Sequence, residues 1–202
     1  MSATSAPFGF RASYHNSGLI IAKAYTIATG YAQNIFQGDP VKLIDTGVIQ
    51  LGTSDGTRAG TTDGIKLLGV FAGCQYNDSL GRPTVSAFWP TGVAATEITA
   101  WVYDDPEILF AVQYDNPGTP GTTTVQVAVG QQADWVVASP GGSTGTGLSN
   151  TELGTLATTS GQFQITGFEG TNGGPSSTLT DAFVVATVRI NEHQYKASVN
   201  EV

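Results

Sequence analysis

Ile108-Leu109-Phe110-Ala111-Val112-Gln113-Tyr114 reads with a period of two. Ile108, Phe110 and Val112 form the more apolar phase and are expected to face a core from one side of a β-strand. Thr124-Val125-Gln126-Val127-Ala128-Val129 alternates more strictly still and predicts another half-buried strand. Outward from these, apolar runs bounded by Gly, Asp and Pro predict strands over 19–25, 33–36, 41–44, 48–51 and 67–72. A second series covers 84–89, 97–103, 108–114, 122–129 and 133–138, and a third 161–168 and 182–190. Trp101 and Tyr103 lie on the opposite face of their strand from Ile98, Ala100 and Val102, where they could cover a second sheet or an interface. No helical period is sustained. The expected architecture is all-β: a single β-sandwich, jelly-roll-like, or a partly open barrel.

The punctuation has its own content. Asp45-Thr46-Gly47 is short enough for a hairpin turn, and in Gly38-Asp39-Pro40 the proline can open a strand without losing a ladder donor. Gly167, between Ile165 and Phe168, breaks the strand's phase and predicts a bulge. Segments 53–64, 139–147 and 170–177 read as loops. Residues 1–18 lack alternation but carry Phe8, Phe10, Tyr14 and His15, so they read as an extended arm whose aromatics dock on this domain or on a neighbour. The remainder, 19–202, reads as one β domain.

Composition narrows the function. The chain has 202 residues, a net charge of −8 and charged residues at only 12%. Acidity opposes binding to phosphate backbones, so no nucleic-acid partner is expected. The opening Met1–Phe8 has neither a basic nor an apolar region of the signal-peptide kind, and no apolar run is long enough to span a bilayer; synthesis in a cytoplasm and no membrane partner are expected. Cys74 is the one cysteine, which excludes an intrachain disulfide.

Reactive groups are sparse. Asp104-Asp105-Pro106-Glu107 could supply oxygens to a calcium ion or a pair of catalytic carboxylates, but it lacks a calcium-loop spacing, and Pro106 between two strands explains it as a tight turn. His15 and His193 are far apart in sequence and outside metal-binding spacings. Cys74 has no neighbouring cation to activate it. Gly141-Gly142-Ser143-Thr144-Gly145-Thr146-Gly147 lacks the lysine and the helix of a phosphate cradle. Trp89, Trp101 and Trp135 could form a sugar-stacking platform, although core or interface packing accounts for them more simply. No catalytic residue, metal or cofactor is expected.

Several segments carry a resemblance: Phe8-Gly9-Phe10-Arg11, Tyr14-His15, Gly38-Asp39-Pro40-Val41-Lys42-Leu43, Gly69-Val70-Phe71-Ala72-Gly73, Gly81-Arg82-Pro83-Thr84, Phe88-Trp89-Pro90, Tyr103-Asp104-Asp105-Pro106-Glu107 and Ile190-Asn191-Glu192-His193. In these the chain resembles the cement or decoration proteins on the outer surface of tailed-bacteriophage capsids. The resemblance implies a non-enzymatic virion protein that binds the major capsid protein at subunit junctions and stabilises the shell. It also implies self-association, and the many β edges and apolar outer faces that need cover favour a dimer over a trimer. The partner-binding residues then expected are Phe8, Phe10, Arg11, Tyr14, His15, Trp89 and Trp101. The alternatives are a carbohydrate-binding β-sandwich on a virion surface and, with least support, a glycoside hydrolase.

Overall fold

A computed structural model describes residues 5–53, 66–115, 125–156, 161–169 and 183–196. Its strands are β1 (Arg11–Tyr14), β2 (Lys23–Tyr25), β3 (Ile35–Phe36), β4 (Pro40–Leu43), β5 (Ile49–Leu51), β6 (Gly69–Asn77) and β7 (Pro83–Ser86). They continue as β8 (Phe88–Trp89), β9 (Thr96–Tyr103), β10 (Leu109–Asp115), β11 (Gln132–Gly142), β12 (Ser149–Leu156), β13 (Phe163–Phe168) and β14 (Phe183–Ile190). The fold is all-β, as the period-two runs require.

One sheet runs β1-β10-β12-β11-β13-β14, and β14 pairs back to β10. The ring β10-β12-β11-β13-β14 is therefore closed, and β1 lies along the first half of β10, with Arg11 opposite Ala111 and Ala12 opposite Phe110. The register slips between Ile165 and Gly167, which is the expected bulge. Closure leaves no edge in the ring and encloses Phe110, Val112, Trp135, Leu153, Phe163, Ile165, Val188 and Ile190. The second sheet runs β2-β9-β6-β4-β5, with β7 on β6, and a short β3-β8 ribbon stands beside it. It carries a second core that includes Ile35, Val41, Phe71, Trp89 and Val102. Leu51 touches both cores, and Tyr103 turns from β9 toward the barrel core. Backbone bonds join the layers where Leu67 donates to Glu192 and Gln194 donates to Leu67.

Three readings of the sequence are corrected. The strand expected over 122–129 is, across Val125–Ala128, a 3₁₀ turn that puts Ala128 into the barrel core and leaves Val127 exposed; residues 122–124 lie outside the described residues. The strands of the closed ring already pair on both sides, so an alternating segment there finds no ladder to join. Of the expected strand 19–25 only Lys23–Tyr25 pairs, and Leu19 and Ile21 project outward instead. The segment read as the loop 139–147 is strand as far as Gly142, which lies against the Phe36 ring where a Cβ would collide. The N-terminal arm docks on this chain, one of the two dockings expected: Arg11–Tyr14 is strand, and the adjoining Phe10 is a core residue. The loop 170–177 lies outside the described residues, as does nearly all of 53–64.

Candidate functional site

The N-terminal segment is held by polar groups before it becomes a strand. Gln113, buried on β10, accepts the Ala6 N–H at 2.8 Å and donates to Glu152 at 2.9 Å. Burial, and then the neighbouring Asp115, push the Glu152 carboxyl up from its ordinary value. Further along, Gly9 N–H donates to Thr151 O and Phe10 N–H to Gly38 O. Gly9 has φ +76°, and a Cβ there would sit 2.8 Å from that of Ser149, so this approach needs glycine. Beneath it lies Asp39, which accepts from Ser149 Oγ at 2.5 Å and from the Phe36 N–H at 2.7 Å. Burial pushes its carboxyl up to about 6, against the pull of those two donors. This hub of Asp39, Ser149 and Thr151 ties the turn before β4 to β12 and to the chain's first residues.

Phe10 then inserts into the barrel core and stacks on Phe163, with ring centroids 4.3 Å apart. Its neighbours turn outward: the Arg11 guanidinium lies over the Phe8 ring at 4.5 Å from the centroid. Between the two sheets a cleft of about 240 Å³ opens, lined by Phe8, Arg11, Gln37, Phe71, Tyr103 and Leu148 among others.

Past β1 the chain presents apolar side chains to solvent. Tyr14 is 54% exposed, Leu19 62% and Ile21 58%, whereas Ile20 between them packs on the barrel core. His15 Nε2 stands 3.4 Å from Asp105 Oδ2, and Lys23 Nζ reaches the buried Asp104 Oδ2 at 3.0 Å. Tyr25 donates its hydroxyl to that same oxygen at 2.6 Å and lies 3.1 Å from the Tyr195 hydroxyl. Burial, first of all, and the bond to Asp104 keep the Tyr25 phenol protonated well above its ordinary range. A surface spanning residues 14–25 is thus fixed from behind by the turn 104–105.

The Asp104-Asp105-Pro106-Glu107 segment is a turn in which Glu107 N–H donates to Asp105 Oδ1 and Ile108 N–H to Asp105 O. Among the described residues no group of three His, Cys, Asp or Glu side chains is placed to hold a metal ion. His193 is buried, its Nδ1 accepting from the Tyr195 N–H; burial and then Lys196 push it down to about 4, while Asp104 and Asp105 pull weakly the other way. Burial pushes the Cys74 thiol up to about 12, leaving it a packed apolar group. The Gly141–Gly147 stretch ends in a closed turn, with Ser143 N–H donating to Leu148 O and Gly147 N–H to Ser143 O.

The residues singled out for partner contact therefore separate. Phe8 and Arg11 are brought together at the barrel's flank, Tyr14 is exposed at the end of β1, His15 meets Asp105, and Trp101 is half-buried on β9. Phe10 and Trp89 are buried in the two cores, as core packing requires of large rings, and neither can meet a partner while the chain is folded. Trp135 is buried as well, so a three-tryptophan sugar platform does not form. Nothing in the local pattern singles out Asp39, Gln113, Lys23 or Tyr195. A Gly-Asp-Pro turn could have drawn attention to Asp39, but Ser149, which bonds its carboxylate, and Thr151, which bonds Gly38 O, lie over a hundred residues away. No family model, curated protein or solved structure matches the chain.

Proposed function

We propose that this protein is a non-enzymatic capsid decoration protein, bound to the outer surface of a phage head at junctions of the major capsid protein and stabilising the shell. The observation that carries the reading is the exposure of Tyr14, Leu19 and Ile21 on a segment secured at both ends, by β1 on β10 and by β2 on β9. Large apolar side chains exposed on a segment held at both ends favour association, because covering them removes apolar area from water without ordering a loose loop. Acidic charge directs such a surface toward protein rather than nucleic acid. Self-association, first as a dimer, fits the open edges of β2 and β7, where Val85 is 75% exposed.

The carbohydrate reading is weakened by the burial of Trp89 and Trp135. Asp105 and Glu107 share one turn rather than facing each other across a cleft, which gives a glycosidase reading no support. The test is to look for the chain by mass spectrometry in purified particles of the phage that encodes it, and to add it to heads lacking it. Wild type should sediment with the heads and raise their heat resistance. Leu19→Asp with Ile21→Asp should stay folded and fail to bind. Absence from the particles together with no co-sedimentation would remove the proposal.

A further inference from the structure

We infer that the cleft beside Arg11 is a docking site for a protein segment that presents a carboxylate next to an aromatic or large aliphatic side chain. The inference concerns the chemistry of the contact; it rests on the decoration reading only for which protein supplies that segment.

Charge is the first observation. The sequence has 16 acidic and 8 basic residues, so carboxylates are in excess. Lys23 and Arg82 are each held by one, and Arg189 by Gln164. Arg11 forms no ion pair with a described carboxylate; its partner is the face of Phe8. An arginine resting on an aromatic ring loses little further freedom on binding, and its fork matches a carboxylate with two parallel N–H bonds. Shape is the second. The cleft enters the junction of the two sheets, and Phe71, Tyr103, Leu148 and Gln37 line it together with Arg11. About 240 Å³ is space for one large side chain. An occupant therefore places its apolar group inward and its carboxylate on Arg11. Because the chain carries an excess of carboxylates, Arg11 is a favourable place for a partner's carboxylate, which helps set the register of the contact.

The walls also make this a firm receptor. The turn at Gly38 is bonded to Phe10 and Phe71, and the Asp39 hub lies beneath it. A preformed cleft keeps the cost of binding low.

The experiment uses the isotopically labelled full chain and two probe peptides, N-acetyl-Glu-Phe-amide and N-acetyl-Gln-Phe-amide, titrated by NMR. The Glu peptide should give saturable shifts at the amides of Phe8, Arg11, Gln37 and Leu148, and the Gln peptide should bind roughly three- to tenfold more weakly, the range expected for losing one charge-assisted pair at a partly exposed site. Arg11→Gln should bring the two peptides to equal affinity with the remaining spectrum unchanged. No saturable shift at these amides, or equal affinity for both peptides in the wild type, would overturn the inference. Head binding is scored separately. If wild type binds no heads, the decoration reading fails and the peptide result still decides the cleft; if heads bind wild type and Arg11→Glu equally, the cleft serves a different partner.

Discussion

Asp39 and His193 make opposing contributions to the pH dependence of stability, and replacing one should expose the other. In the fold the Asp39 carboxyl is raised from an ordinary 3.8 to about 6. The folded chain then holds a proton that the unfolded chain releases, so this stabilisation is complete below the unfolded value and is lost as pH rises through about 6. At about 1.4 kcal/mol for each decade, the change is about 3 kcal/mol. His193 is lowered from 6.5 to about 4. Its stabilisation is complete above 6.5 and is lost as pH falls toward 4, again by about 3 kcal/mol. The windows overlap and the slopes oppose, so the two contributions nearly cancel in the wild type. Asp39→Asn keeps an oxygen for the Phe36 N–H and places an NH₂ toward Ser149, while removing the charge. Urea unfolding of the variant and the wild type, followed by tryptophan fluorescence from about pH 4 to about pH 7, gives the difference in stability at each pH. That difference should move in favour of Asp39→Asn by about 2 kcal/mol between about pH 4 and about pH 7, because only the wild type must bury the charge. His193→Asn should show the opposite trend, gaining on wild type as pH falls. A constant offset between variant and wild type reports altered hydrogen bonds; a difference that stays flat to within about 0.5 kcal/mol would refute the linkage argument.

Phe10→Ala should destabilise the chain by about 3–5 kcal/mol in denaturant, since it removes a fully buried ring stacked on Phe163; a loss under about 1 kcal/mol would mean that the N-terminal segment is not part of the barrel core. Gly69→Ala should cost about 3 kcal/mol or prevent folding, because its Cβ would meet the backbone oxygen of Tyr103 across the β6–β9 ladder; a near-neutral result would show that this ladder can shift. Sedimentation at micromolar concentration should find a dimer, and a concentration-independent monomer would leave the open edges of β2 and β7 to heterologous contacts alone. EDTA should leave the melting temperature unchanged, and a marked drop would point to an ion bound near the turn 104–107.

Legibility in the sequence followed what each strand had to bury. β10 and β14 face the barrel core with apolar side chains at every second position, and local pattern suffices to find such strands. β12 is equally periodic, with Ser149, Thr151 and Leu153 inward, but two of these are polar because they partner the Asp39 hub, so a search for apolar alternation passes over it. β1 has Ala12 as its one residue packed on the core, and its strand identity comes from β10, nearly a hundred residues away. The segment around Val127 fails in the opposite sense: its alternation is real, but pairing needs a free edge, and whether one exists is a property of the closed ring rather than of the segment.

The same distinction governs the contact residues. An aromatic in a short N-terminal stretch reads alike whether it anchors the chain to itself or to a neighbour, since both uses bury a ring. What separates Phe10 from Phe8 and Tyr14 is direction. Phe10 N–H bonds to Gly38 O and its ring turns into the barrel; Phe8 and Tyr14, nominally in the same phase, are set apart from it by the positive φ of Gly9 and by the register shift between Ala12 and Tyr14, and are left to Arg11 and to solvent. One backbone bond to a distant turn thus decides which rings stabilise the fold and which remain for a partner. Substituting Phe8 and Phe10 separately divides these roles: Phe8→Ala should lower affinity for the Glu-Phe probe at unchanged melting temperature, and Phe10→Ala should lower the melting temperature first.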